Sequence, residues 1–279
     1  RRLENRFALL RGGSRDAPER HQTLIAVIDW SWNLLDESQR TALRRLAVFP
    51  ASFPLEAAEA VTAVGDILRL GSLVTKSLVH VVEDGDRFRY RLLETVRLYA
   101  TEKLVAAGEA DELRERHAHW VLESMAAIPL VQRWFGDDRG SVDVDDVRAA
   151  LEWSSTSGSP TLSAALASGI NWMRFDQWRD GRRWCEPLAD AEGLDDRSRL
   201  QVLGMLCYLD VVDLSYERAG YLDRRAKQAL SIAEGIDDPL VPVLWTVRGT
   251  LSGALAGQAR DHELADLSVE WMETGVAMT

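Results

Sequence analysis

The stretch Leu78-Val79-His80-Val81-Val82-Glu83-Asp84-Gly85-Asp86-Arg87-Phe88-Arg89-Tyr90-Arg91-Leu92 is unlike the rest of this sequence. Leu78–Val82 is apolar and β-branched. Asp84-Gly85 is a turn pair. Arg87 to Leu92 then alternates, with arginine on one face and Phe88, Tyr90 and Leu92 on the other. A β-hairpin is predicted here, and no comparable β signal occurs elsewhere in the 279 residues.

Helical patterns flank the hairpin. Upstream, Leu24, Ile28 and Trp32 recur at four-residue spacing and make one helix face apolar. Asp36 precedes Gln39 by three, a capping-box arrangement, and starts a second helix with Leu43, Leu46 and Ala47 inward. Pro50 and Pro54 bracket a loop. Leu55–Val64 reads as a third helix and Asp66–Ser77 as a fourth. Downstream, Glu94–Ala107 reads as a long helix closed by Gly108. Helices, one hairpin, then a helix is the order of a winged-helix unit.

From residue 109 onward the text is helical, with a loop expected over Ala127–Val142. An internal repeat runs through it. Ala191-Glu192-Gly193-Leu194-Asp195-Asp196 returns 42 residues later as Ala233-Glu234-Gly235-Ile236-Asp237-Asp238. The same offset carries Arg182-Arg183 onto Arg224-Arg225 and Leu188 onto Leu230. Self-similarity at this period signals stacked helical hairpins, longer than the roughly 34-residue tetratricopeptide unit. The expected fold is therefore mainly α. A winged-helix domain over 20–108 follows a linker at 1–19, and tetratricopeptide-like superhelical repeats fill 109–279. The sequence opens without Met, and repeat arrays need neighbours to bury their faces. Both features suggest a piece of a longer protein.

Charge narrows the function classes. The chain has 33 basic and 44 acidic side chains, a net −11. Residues 101–279 hold 18 basic against 31 acidic ones, a net −13. That balance argues against general nucleic-acid binding by the C-terminal part, because phosphate contacts need Lys and Arg. No apolar run reaches the roughly 18 residues of a membrane span, and no secretory signal is visible. With Cys185 and Cys207 inside helical patterns, a disulfide framework is not expected and the cytoplasm is the default compartment.

No chemistry-bearing motif stands out. Neither GxxxxGK[ST] nor GxGxxG occurs, so no phosphate loop is present, and Gly12-Gly13-Ser14 reads as a bare turn. His117 and His119 lie two apart on a helix, about 200° around it, and cannot share a metal. The paired acids Asp195-Asp196, Asp237-Asp238 and Asp145-Asp146 read as helix caps. Asp137-Asp138 is a further pair without a catalytic partner. No catalytic residue and no metal ligand is assigned, and the chain is not read as an enzyme. Arg87, Arg89 and Arg91 form a basic stripe that could meet a polyanion or a protein partner, or face solvent. The preceding helix, which would read DNA in a winged-helix binder, offers only Arg69 and Lys76. Ten tryptophans are many for this length. Most read as packing residues, with Trp178, Trp184 and Trp245 the candidates for a ligand groove in the repeats.

Several of these segments resemble one family. They are His21-Gln22-Thr23-Leu24, Asp29-Trp30-Ser31-Trp32-Asn33-Leu34-Leu35, Leu46-Ala47-Val48-Phe49, Leu73-Val74-Thr75-Lys76-Ser77-Leu78-Val79 and Tyr90-Arg91-Leu92-Leu93-Glu94-Thr95-Val96-Arg97-Leu98-Tyr99-Ala100. Together they resemble the large bacterial STAND-class regulators of the SARP/AfsR-like or LuxR-family ATPase kind, whose core is NB-ARC-like. Val147-Arg148-Ala149-Ala150-Leu151-Glu152-Trp153 and Gly181-Arg182-Arg183-Trp184 resemble the start of that family's tetratricopeptide-like sensor region. The likeness is strongest over 20–105 and weaker after about 190.

The resemblance implies a signal-transduction protein in which ATP or ADP is held by a nucleotide-binding domain upstream of this chain. It implies that the winged helix docks on that domain, locking an inactive monomer, and that the repeats receive an inducer or protein partner. Eukaryotic relatives carry Met-His-Asp at the start of the helix after the wing, where the His reaches the nucleotide phosphate. The matching positions here are Leu92-Leu93-Glu94, and Leu93 cannot donate a hydrogen bond. Leu93, Glu94 and Arg97 are the candidate docking residues. Two rival readings are a stand-alone winged-helix DNA-binding regulator and a tetratricopeptide-like protein-binding adaptor.

Overall fold

A computed structural model describes residues 18–63, 67–85, 87–135, 142–157, 159–173, 177–212 and 219–233, with single positions and short runs between 236 and 273. The chain divides into two compact units, Arg1–His117 and Ala118–Thr279.

The first unit has the winged-helix order. It runs α1 (Pro18–Asn33), α2 (Glu37–Leu46), α3 (Leu55–Thr62), α4 (Ile67–Thr75), β1 (His80–Asp84), β2 (Arg87–Arg91), α5 (Glu94–Ala106) and the start of α6 (Ala110–Ala126). The capping box at α2 is present. Gln39 N–H donates to Asp36 Oδ1 at 2.9 Å, and Asp36 N–H donates to Gln39 Oε1 at 3.2 Å. This satisfies two backbone donors that would otherwise be orphaned at a helix start. Strands β1 and β2 pair antiparallel, with Val81 opposite Tyr90 and Asp84 opposite Arg87. Gly85 takes the left-handed conformation the tight turn requires, at φ +61°.

Phe53 adds a bridge to the outer side of the hairpin. It exchanges two backbone hydrogen bonds of 2.8 Å with Tyr90. Its ring stacks on Phe49 at 4.4 Å, and Phe49 in turn meets His117 edge-on at 5.5 Å. Ala42, Leu43, Leu46, Val61, Leu73 and Ala100 fill the core beside them. α2 packs on α3, α4 and α5, so the capped helix is the centre of this unit.

The second unit is helical throughout its described elements. After the end of α6 come α7 (Leu130–Phe135), α8 (Val144–Ser157), α9 (Pro160–Ser168), α10 (Trp178–Ala189), α11 (Asp196–Val212) and α12 (Ala219–Ala233). α7 lies inside the stretch expected to be a loop. Its short apolar text, Leu-Val-Gln-Arg-Trp-Phe, is too brief to show a helical period, yet Trp134 is fully buried. Neighbours pack in succession: α8 on α9, α9 on α10 and α11, α10 on α11, α11 on α12. Among the described residues, the fold is mainly α with a single hairpin.

The C-terminus of α9 shows where several polar side chains are used. Trp172 Nε1 donates to Ala167 O at 2.7 Å, Trp134 Nε1 to Ser168 O at 2.8 Å, and Arg133 Nη1 to Gly169 O at 2.9 Å. Three carbonyls that a helix end leaves without partners are each met by a side-chain donor. These buried tryptophans serve as core and cap together.

The repeat junction at Asp195-Asp196 is a cap as expected. Asp195 Oδ1 accepts from Ser198 N–H at 2.9 Å and Oδ2 from Ser198 Oγ at 2.8 Å. The buried carboxylate of Asp238 accepts from Arg197 Nε at 3.1 Å. α8 begins at Val144, ahead of Asp145-Asp146, so those two acids lie in the first turn and not before it. Gly12-Gly13-Ser14, Asp137-Asp138 and Asp237 lie outside the described residues.

Candidate functional site

The candidate docking residues sit at one end of α5. Leu93 is its N-cap, makes no side-chain cap and is 43% exposed. Glu94 and Arg97 face each other through two 2.9 Å hydrogen bonds, Arg97 Nε to Oε2 and Nη2 to Oε1. Glu94 and Arg97 therefore act as one locally neutral pair, not as two separate charges. A cleft of about 440 Å³ opens beside them, lined by Ser52, Val82, Arg91, Leu92, Leu93 and Glu94 among others. The Leu93 side chain cannot donate a hydrogen bond, and Arg91 is the cation in the lining of this cleft.

The arginine stripe is not uniform. Arg89 turns back onto the loop before α3, where Nε donates to Ser52 Oγ at 2.9 Å and Nη2 to Ser52 O at 2.6 Å. Arg87 and Arg91 remain exposed. They share the hairpin with exposed Glu83 and Asp84. Phe88, expected on the inner face, is 64% exposed, because it lies at the wing tip beyond Phe53. α4, in the position of a recognition helix, presents Leu68 at 76% exposure beside exposed Arg69.

The three candidate groove tryptophans are half-buried against the core of the second unit. Each carries an arginine over its ring: Arg179 on Trp178 at 4.5 Å, Arg183 on Trp184 at 5.6 Å and Arg248 on Trp245 at 5.4 Å. Trp178 and Trp184 are six apart on α10, about 240° around it. Trp245 lines a separate pocket of about 250 Å³ with Lys227, Leu230, Ser231, Val241 and Arg248.

Sequence reasoning missed a buried ionic cluster. The Asp210 carboxylate on α11 meets Arg182 Nη1 of α10 at Oδ1 and Arg225 Nη1 of α12 at Oδ2, both at 2.6 Å. The 42-residue offset hinted at it by aligning two arginine pairs, but pointed to no acid between them. His117 is buried and His119 exposed. No group of metal-ligating side chains occurs among the described residues. Both cysteines are free and buried.

Residues 35–105 match the winged helix-turn-helix domain. The match spans α2 to α5, the segment whose order first indicated that unit. Proteins of Mycobacterium tuberculosis and Mycobacterium bovis named as HTH-type transcriptional regulators are each 36% identical over 288 residues, covering 95% of this chain and 32% of theirs. An uncharacterized Mycobacterium tuberculosis protein is 41% identical over 41% of this chain and 31% of its own. The chain thus spans about a third of the length of the curated relatives it matches. A STAND protein with a tetratricopeptide repeat sensor from Pyrococcus horikoshii overlays at a TM-score of 0.44 and 14% identity, over 88% of this chain and 39% of that one. No helix among the described residues is long and apolar enough to cross a membrane.

Proposed function

We propose that this chain is the regulatory part of a STAND-type transcriptional regulator that works in the cytoplasm. Its winged-helix domain is a protein-docking element, and its helical unit receives an inducer or partner. The chain supplies no catalytic group. ATP or ADP belongs to a nucleotide-binding domain elsewhere in the longer protein, and that domain is the docking partner.

The observation that carries this reading is the chemistry of the winged-helix surface. A DNA reader needs cations on its recognition helix and wing, because phosphate contacts supply most of its affinity. Here the helix offers Leu68 and the wing tip Phe88, both mostly exposed. One of three wing arginines is committed to Ser52. Exposed apolar side chains beside a few charges suit a protein partner better than a duplex. The relatives' greater length leaves room for such a partner in the same chain, and the resemblance supplies its kind. Two-state docking lets ligand binding at one unit bias the other.

The test is co-purification of this chain with the remainder of the longer protein. Phe88→Asp and Leu68→Asp weaken capture, and both variants keep the wild-type circular dichroism. A random DNA duplex at low salt gives no binding that Arg87→Gln and Arg91→Gln abolish. Duplex binding with a steep salt slope, lost in those variants, overturns the docking reading in favour of a DNA-binding regulator.

A further inference from the structure

We propose that the outward face of α1 is a helix-pairing seam, and that its occupant is an amphipathic helix with an uncharged apolar face in the remainder of the longer protein. This adds a fixed anchor to the switched contact proposed above, and it rests on that reading for the existence of the remainder.

The seam is written in spacing. Leu24, Val27, Ser31 and Leu34 follow one another at intervals of three, four and three, the alternation by which paired helices mesh. Leu34 belongs to the row although α1 ends at Asn33, because its N–H still donates back to Trp30 O at 3.2 Å. Together with Trp30 these side chains fall within an arc of about 120° around the helix. Leu24, Val27, Trp30 and Leu34 are 41%, 53%, 65% and 58% exposed. The core uses other residues of α1: Ile28 is buried, and Trp32 meets Tyr99 edge-on at 5.8 Å. An ordinary surface helix is polar opposite its buried stripe. α1 is apolar on two sides.

The outward row carries no charge. Asp29 is the only charged side chain in residues 24–34, and its carboxylate accepts from the Tyr99 hydroxyl at 2.5 Å and from Asn33 Nδ2 at 3.3 Å. Ser31 Oγ donates to Val27 O at 2.8 Å, so the one hydroxyl in the row keeps its proton within α1. A contiguous apolar stripe of this kind marks a surface that another element covers. The occupant has to match it. A charge placed against this row would lose water and gain no counter-charge. Side chains at helical spacing are met by the grooves of a second helix. This chain covers 32% of its curated relatives, so such a helix has room in the same polypeptide. The row holds no ionisable group on which the charge of a nucleotide acts, and the contact is the same with ADP and with ATP.

The experiment is thiol labelling of Val27→Cys. Cys185 and Cys207 are buried, so in the 279-residue chain a cysteine at 27 reports by itself. There it reacts with a maleimide at a rate close to that of the unfolded chain. In the full-length protein, with the label read at residue 27 by mass spectrometry, it reacts at least about tenfold more slowly, equally in ADP and in a non-hydrolysable ATP analogue. Adding Trp30→Asp restores fast labelling at residue 27. Circular dichroism shows that this variant keeps its fold, as expected at an exposed position.

Fast labelling at residue 27 in the full-length protein overturns the proposal, and so does protection that Trp30→Asp leaves intact. Slow labelling in the 279-residue chain at every concentration means that the chain covers its own seam, and protection that grows with its concentration means that a second copy does. Either result also overturns it. The docking reading fails at a different residue: Phe88→Cys in the same full-length protein labels equally in the two nucleotides.

Discussion

The Tyr99 hydroxyl donates a 2.5 Å hydrogen bond to Asp29 Oδ1, tying α5 to α1 across 70 residues of sequence. Burial, then the bond to Asp29, raises the Tyr99 pKa well above its ordinary value. Lys103 caps the arrangement, lying over the Tyr99 ring at 4.9 Å and the Trp32 ring at 5.7 Å. Asp29, Trp32 and Tyr99 come from two separate motifs of the family resemblance, and the fold makes them one cluster. Tyr99→Phe leaves a carboxylate without this donor and costs about 1–3 kcal/mol. Urea unfolding checks this, and an unchanged m-value confirms that the folded state is otherwise intact.

Glu109 gives a pH signature. Its carboxylate accepts from Arg44 Nη2 at 2.8 Å and Arg45 Nε at 2.7 Å. The Arg44 hydrogen bond holds its pKa below the ordinary glutamate value, with Arg45 assisting and partial burial opposing. Because the folded value lies below the unfolded one, the pair stabilises at neutral pH. That contribution fades as pH falls through the ordinary glutamate range to the depressed folded value. Glu109→Gln costs about 1–2 kcal/mol at pH 7. The gap between wild type and variant is constant from about pH 8 to pH 6 and narrows below about pH 4.

Asp210 links three helices of the second unit through one buried ion cluster. Its side chain is fully buried between Arg182 and Arg225. Asp210→Ala removes the buried acid that Arg182 and Arg225 share, leaves Arg182 its longer contact to Glu186 at 3.7 Å, and costs about 3–5 kcal/mol. Replacing all three residues with apolar ones of similar volume recovers most of that loss, since a buried ion cluster stabilises little against well-packed hydrophobic residues. Thermal melts of the single and triple variants separate the two effects.

Gly181 tests the packing of α10 on the Trp172 ring. A Cβ at this position falls inside the van der Waals radius of the Trp172 side chain. Trp172 cannot swing away without losing its bond to Ala167 O. Gly181→Ala therefore destabilises by about 1–3 kcal/mol, although alanine is the better helix former.

The cysteines are predicted to be inert. Burial pushes the Cys207 thiol up to about 12, with Asp210 adding to the shift, and raises Cys185 as well. Neither forms thiolate at pH 8, so a thiol reagent labels the unfolded chain and spares the folded one.

Local signals were the legible ones. The α2 cap needs only Asp36 and Gln39 three apart, and the hairpin needs only alternation around Asp84-Gly85. Both are present in the structure. Contacts between distant segments were not legible. Nothing near Arg89 in sequence announces Ser52, and nothing near Tyr90 announces the Phe53 bridge. The Arg182–Asp210–Arg225 cluster joins three helices and has no local pattern. α7 is too short for periodicity to reveal. Of the candidate residues, Leu93, Glu94 and Arg97 lie together because they share the first turn of α5, whereas Trp178 and Trp184 point different ways because they stand six apart on α10.

The most direct test of the docking account is calorimetric titration of this chain into the nucleotide-binding domain of the longer protein, in ADP and in a non-hydrolysable ATP analogue. The account predicts saturable binding that is about tenfold or more tighter in ADP and is weakened by Phe88→Asp. Equal affinity in both nucleotides, or no binding in either, contradicts it.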